Sequence, residues 1–265
     1  MKLPNILFII SGFFIVLSCD KKIDLEVNDV EPQLVIEANY DAIKEEVRVR
    51  ITKSVNVFAT SDFPTVGGAQ VEIVDGNGAA TPLVDQGNGV YLLENYVPDF
   101  GTNYTVNVVV EGQSYQTSDM LPSVVAIDSL TQEFQEQSLF GDEGYIVYTN
   151  FSDPQTNNYY RANRIVNGDS LTDLGEQFIF DDGFSNGNSQ AVPFFSTRHE
   201  VGDTIIVQLI SYSEHSFDYY DQLFEIAGES GQSAAPANPE YSWTNNALGH
   251  FAAYGYDVDT IIIQE

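Results

Sequence analysis

One cysteine in 265 residues rules out an intramolecular disulfide, so the fold must stand on a hydrophobic core alone. It also rules out thiolate zinc clusters. Positive charge is scarce as well. Ten Lys and Arg face 39 Asp and Glu, for a formal net charge of −29. Such a chain repels phosphate backbones, which argues against nucleic acid as a partner, and direct docking on an anionic lipid surface is disfavoured. Histidine is rare: His199, His215 and His250 are far apart in sequence, and none has a second ligand at metal-site spacing. There is no G-x-S-x-G elbow, phosphate-binding loop or dinucleotide glycine motif. Gly228-Glu229-Ser230-Gly231 has the wrong spacing for an elbow. Carboxylates are so numerous that pairs arise by chance, so no acid–base dyad is assigned. No catalytic residue, metal ligand or cofactor is predicted, and the chain reads as non-enzymatic. Beyond the N-terminus, no apolar run is long enough to span a bilayer as a helix.

What is present begins with Lys2, an apolar stretch from Ile6 to Leu17, and Val16-Leu17-Ser18-Cys19. The apolar stretch has the length of a signal-peptide core. With its small residue before the cysteine, the segment resembles a bacterial lipobox, in which the thiol of Cys19 receives a diacylglycerol and the chain is cut before it. The resemblance implies a signal peptide over residues 1–18 and a lipid anchor at Cys19. Each buried acyl methylene contributes about 0.8 kcal/mol, so two or three chains hold a protein on a membrane durably. Residues 19–32 are polar, carry both charge signs and read as a tether.

From Leu34 the pattern is that of short strands. Val47, Val49 and Ile51 alternate with Arg48, Arg50 and Thr52, which marks a half-buried strand. Asp75-Gly76-Asn77-Gly78 and Gln86-Gly87-Asn88-Gly89 read as turns. Tyr104, Val106, Val108 and Val110 alternate again, and Leu121-Pro122 closes the unit. Strands spaced by 8–12 residues with Gly/Asn turns predict a β-sandwich. The second half repeats the strand pattern, with Thr204 to Ile210 its most apolar stretch. One helix is predicted over residues 213–227, because Phe217, Tyr220, Phe224 and Ala227 share one face. Ser213 or Ser216 would cap it, and Gly228 would end it. The fold class is therefore mainly β: an N-terminal sandwich over residues 33–122 and a second, mostly β domain over 123–265 carrying one helix.

Three features bear on contacts. Phe58 and Phe63 lie in a loop that the strand pattern does not bury, and Trp243 lies in the long C-terminal loop. These rings are candidate partner contacts or plugs that fold back onto the core. Asp181 to Asn188 carries oxygen ligands and glycines of the kind that hold Ca²⁺, but it lacks the EF-hand order and reads as a hairpin turn. Asp128-Ser129-Leu130, Asp203-Thr204-Ile205 and Asp259-Thr260-Ile261 match a short pattern glycosylated in some Bacteroidota.

Residues 67–122 contain Gly-Ala-x-Val at Gly68 to Val71, Gly-x-Tyr at Gly89 to Tyr91 and Gly-x-x-Tyr-x-Val at Gly101 to Val106. In this order they resemble an Ig-like sandwich of the transthyretin, carboxypeptidase-regulatory type, with glycines at turns and a tyrosine entering the core. Asn157 to Arg161, Phe180 to Gly187 and Asn245 to Tyr254 add a C-terminal pattern. Together with the lipobox, the chain resembles a Bacteroidota family of outer-membrane lipoproteins of unknown function, whose members often accompany TonB-dependent receptors. The resemblance implies an outer-membrane localisation, with the face left open, and a β-barrel partner. It implies no established activity. The expected role is an accessory or binding subunit of a barrel complex such as a TonB-dependent nutrient transporter. The alternative is a free-standing surface binder of glycan or protein.

Overall fold

The alternation in the first half builds eight strands: β1 (Leu34–Asp41), β2 (Glu46–Lys53), β3 (Gln70–Val74), β4 (Ala80–Pro82), β5 (Val84–Gly87), β6 (Val90–Leu93), β7 (Asn103–Val110) and β8 (Gln113–Met120). The second half adds β9 (Ile127–Gln135), β10 (Gly144–Ser152), β11 (Tyr159–Val166), β12 (Asp169–Ser170), β13 (Phe178–Asp181), β14 (Ser189–Pro193) and β15 (Thr204–Tyr212). Helix α1 (Glu214–Gly228) follows, then the last strand, β16 (Phe251–Ile262). This computed structural model describes residues 31–56, 62–137, 142–171, 178–228, 239–240 and 242–265. The protein is mainly β, as its pattern predicts, and α1 is the one α-helix among the described residues. No helix among them is long and apolar enough to cross a membrane.

Three sheets result. One runs β12-β11-β15-β16-β1-β2-β6-β5, with β13 also on β11. The others are β4-β3-β7-β8 and β14-β10-β9. Between the first half of the long sheet and the β3/β7 sheet lies a core of Ile36, Tyr40, Val47, Val49, Ile51, Ile73, Tyr91, Tyr104, Val106 and Val108. Each aliphatic side chain buried there contributes about 1.5–3 kcal/mol. Tyr91 and Tyr104, the tyrosines of the glycine–tyrosine motifs, are both fully enclosed. Tyr104 meets Tyr40 edge-on at 5.0 Å between ring centroids, and its hydroxyl accepts from the Asp99 amide at 2.8 Å. A second core lies between the β10 sheet and β11, β15 and β16, built on Val147, Ala162, Ile205, Val207 and Leu209.

The first core reaches past the expected division near residue 122, because Trp243, Ala247, Phe251 and Ala253 pack into it. Strand β16 belongs to both sandwiches. Its first residues pair in parallel with β1, from Ala38 opposite Phe251 to Asp41 opposite Tyr254. From Gly255 onward it pairs antiparallel with β15, ending with Thr204 opposite Ile262. The sequence pattern picks out only Thr260 to Ile263 as the final strand, because Ala252, Ala253 and Gly255 are weak strand formers. Tertiary pairing overrides that propensity and makes residues 32–265 one unit.

Two glycines permit close backbone approaches. Gly89 takes φ +72 in the β5–β6 hairpin, where a Cβ would lie 2.3 Å from the Ile51 carbonyl oxygen. Gly249 takes φ +97 just before β16, and a Cβ there would lie 2.3 Å from the Ile36 carbonyl oxygen.

Candidate functional site

Strand alternation puts every second residue of β2, β1, β16, β15 and β11 on the outer face of the long sheet. Arg48 stands opposite Asn39, Glu46 opposite Asp41, and Asp41 opposite Tyr254. Arg161 stands opposite Ile210. Helix α1 crosses this face and packs Phe217 and Tyr220 on Ile210, Tyr212 and Ala252. The result is a pocket of about 290 Å³ between helix and sheet, lined by Lys44, Arg48, Arg161, Asn39, Asn163 and Glu46, with Asp41 and three tyrosines. It lies where the two sandwiches share the sheet.

Its charge sets it apart. Seven of the ten cations fall among the described residues, and three of those seven line this one pocket. The Arg161 guanidinium lies over the Tyr220 ring at 5.7 Å and the Phe224 ring at 5.5 Å, and it hydrogen-bonds the Tyr212 hydroxyl. Lys44 pairs with Asp41 at 3.0 Å. That contact pushes the lysine pKa up, against the cost of burial. Asp41 Oδ1 also accepts from the amides of Ile43 and Lys44, so its lone pairs are occupied. Burial raises the Tyr254 hydroxyl, as does the neighbouring Asp41 carboxylate, so it stays a neutral donor.

The helix that roofs the pocket is anchored by a buried polar cluster. Asp119 lies on the inward phase of β8, 3% exposed. Its Oδ1 accepts from the Ser213 hydroxyl and, at 3.0 Å, from the Met120 amide. Its Oδ2 accepts from the Ser216 hydroxyl at 2.7 Å and the Ala253 amide at 2.8 Å. Ser213 in turn accepts from the Ser216 amide at 3.0 Å, which is the expected cap of α1. Since Ser216 donates to Asp119, its oxygen accepts from Nε2–H of His250 at 3.0 Å. One carboxylate thus ties β8, α1 and β16 together. Burial pushes the Asp119 carboxyl up, and these donors pull it back.

His250 is stacked on Tyr219 at 4.3 Å, and its ring lies 5.0 Å from His215. Its Nδ1 is buried without a hydrogen-bond partner. Burial, aided by repulsion from His215, depresses its pKa to about 3. Serine, histidine and aspartate meet here in an order unlike that of a nucleophilic triad. The hydroxyl sits between carboxylate and imidazole, its proton held by the carboxylate, and it is wholly enclosed. The arrangement is a clamp.

The histidines His215 and His250, distant in sequence, are brought together by the fold. Of the clamp, the sequence marks Ser213 and Ser216 as helix caps, while no motif marks Asp119. Trp243 is 4% exposed and donates its indole N–H to the Ile36 carbonyl at 2.8 Å, so it is a core plug and its ring is closed to a partner. Phe63 is 55% exposed. Cys19 and Phe58 lie outside the described residues. The Asp181 to Asn188 segment forms the expected turn, with Phe184 fully exposed at its tip. Its carboxylates are committed to the protein: Asp182 accepts from the Asn158 amide at 2.9 Å, and Asp181 from the Gly183 amide at 2.9 Å. Among the described residues, no three His, Cys, Asp or Glu side chains come together as a metal site. Ser129 and Thr260 are exposed, and Thr204 is half-buried.

A larger cavity, about 450 Å³, opens at the flank of the N-terminal sandwich. Val71, Leu83, Tyr91 and Val109 line it, with Glu72 and Asp85 and no cation. It follows the acidic, apolar average of the chain, whereas the pocket under α1 departs from it.

Together these features define a class: a mainly β protein of two sandwiches joined by a shared strand, with a cationic pocket under its helix. The chain belongs to the family described as a domain of unknown function, DUF4249, whose model matches residues 20–258. Comparison with curated proteins gives no match. Among solved structures the chain is similar to the selenomethionine-substituted chicken interferon gamma receptor alpha chain. The identity is 8%, covering 68% of this chain and 88% of that one, and a TM-score of 0.19 carries no argument.

Proposed function

We propose that the protein is a lipid-anchored, non-enzymatic binding subunit that works beside an outer-membrane β-barrel, most simply a TonB-dependent nutrient transporter. The observation that carries this reading is the N-terminal sequence. An apolar run ends in Leu17-Ser18-Cys19 and is followed by a polar tether, which is how a folded domain is held at a membrane by covalent lipid. The transporter comes from the resemblance to Bacteroidota outer-membrane lipoproteins. The shared sheet supplies a platform, and Phe63 and Phe184 offer exposed rings as anchors for a partner. Crowded acidic charge on the remainder favours solubility over non-specific adhesion.

The test is a mild-detergent pull-down of the tagged, lipidated protein from native membranes, with mass spectrometry of its companions. A near-stoichiometric barrel protein is expected. The Cys19→Ala variant should leave the membrane fraction and lose that companion. Recovery of fully lipidated protein with no barrel would overturn the accessory role and leave a free-standing surface binder.

A further inference from the structure

We propose that the pocket under α1 binds a small ligand bearing a carboxylate flanked by hydrogen-bond donors. This goes beyond a role beside a barrel and does not depend on one. Within the pocket, Lys44 pairs with Asp41 Oδ2, and Asp41 Oδ1 holds two backbone amides. The other charged side chains that line the pocket are Arg48, Arg161 and Glu46. The Arg161 head is fixed in place by two rings and the Tyr212 hydroxyl, so it is positioned before any ligand arrives. Arg48 is exposed, and among the described residues no hydrogen bond or ion pair holds its guanidinium.

Arginine presents its donors as a planar fork that matches a carboxylate with two parallel hydrogen bonds. The pocket's acceptors define the rest of the ligand. Asn163 Oδ1 is buried without a partner, a cost of about 1–3 kcal/mol that a ligand donor would relieve. The Glu46 carboxylate lines the same space. Two acceptors beside two arginines suit a group that carries both a carboxylate and N–H or O–H donors. Glu46 and Asp41 also oppose a second negative charge, which favours a carboxylate over a phosphate dianion. A volume of about 290 Å³ lies at the lower end of the ~300–1,000 Å³ of small-molecule sites, so a single sugar or a short peptide end fits. A uronic acid and the C-terminus of a peptide share this chemistry.

Isothermal titration of the full-length lipidated protein in detergent, at low salt, separates the two sources. The probes are glucuronate against glucose, alanyl-alanine against its C-terminal amide, and inorganic phosphate. One carboxylate should bind at least about tenfold tighter than its neutral counterpart, by loss of a charge-assisted bidentate contact. Glucuronate preference assigns an acidic sugar, and dipeptide preference assigns a peptide end. Arg48→Gln should abolish the preference without moving the urea midpoint, since Arg48 bonds no partner among the described residues. Asn163→Asp, nearly isosteric, should weaken the carboxylate by adding a like charge. The proposal is overturned if neither carboxylate binds, if the neutral forms bind as well, if phosphate binds more tightly, or if Arg48→Gln keeps the preference.

Discussion

Acidification should loosen this protein through His250 before most of its carboxylates respond. The imidazole is 5% exposed, its Nε2–H is committed to Ser216, and its Nδ1 faces no acceptor. A second proton on Nδ1 would be buried unpaired beside His215, and the folded-state pKa falls to about 3. In the unfolded chain a histidine titrates near 6.5. As pH falls below about 6.5 the unfolded state takes up the proton and the folded state does not, so stability is lost progressively down to about 3. At pH 5 the unfolded state gains RT ln(1 + 10^1.5), about 2 kcal/mol, while the folded state gains almost nothing. Asp119 acts with the opposite sign, because a carboxyl raised by burial binds its proton more readily in the folded chain. The figure of about 2 kcal/mol is therefore an upper one. The assay is urea unfolding at pH 7 and pH 5, for the natural chain and for His250→Gln. The glutamine amide keeps a donor toward Ser216 and does not titrate. The difference between the two chains removes the shared response of the other acidic groups. The natural chain should lose about 1–2 kcal/mol more than the variant over this range. Equal losses would refute the reasoning, and so would a His250 ring that titrates near 6.5 in the folded chain by nuclear magnetic resonance.

Gly249→Ala should cost about 2–4 kcal/mol, since it adds a clash with the Ile36 carbonyl to a left-handed φ. Gly202→Ala has a similar φ of +99 but open space around its Cβ, and should cost only about 1 kcal/mol by the same denaturation assay. Equal costs would mean that the close approach to β1 is not what Gly249 serves. Trp243 is the single tryptophan, so the folded protein should emit at the blue end of the indole range and shift red on unfolding. Trp243→Phe, which keeps most of the apolar volume but leaves the Ile36 carbonyl without its donor, should lower stability by about 1–3 kcal/mol. An exposed-type emission in the native protein would contradict the burial of that ring.

Much of the local structure was legible because it rests on short-range rules. Val47, Val49 and Ile51 alternate with charged neighbours, and they face the core while Arg48 and Arg50 face water. Asn88-Gly89 makes the hairpin turn it spells, with positive φ at both positions. Ser213 caps a helix whose bounds, Glu214–Gly228, lie within a residue of those read from its periodicity. The site was legible only in fragments. Arg48 stood out as one of few cations and Arg161 as part of a motif, but sequence spacing gives no reason for residues 113 positions apart to line one pocket. The loop aromatics show the same limit: composition cannot say which ring folds back, and Trp243 does so by finding a carbonyl 207 residues away.

The sequence by itself determined most of the strands, the helix and its cap, the turns, the absence of disulfides and the acidic surface. All follow from hydrophobic period, backbone preference and charge within a few residues. Tertiary structure decided that β16 enters between β1 and β15, so that two cores share one sheet. It also decided that Asp119, Ser216 and His250 close on one another, and that two arginines distant in sequence line a common pocket. These are pairings between distant segments. Their energy exists only once the sheet has brought the partners within bonding distance, and no local pattern records it.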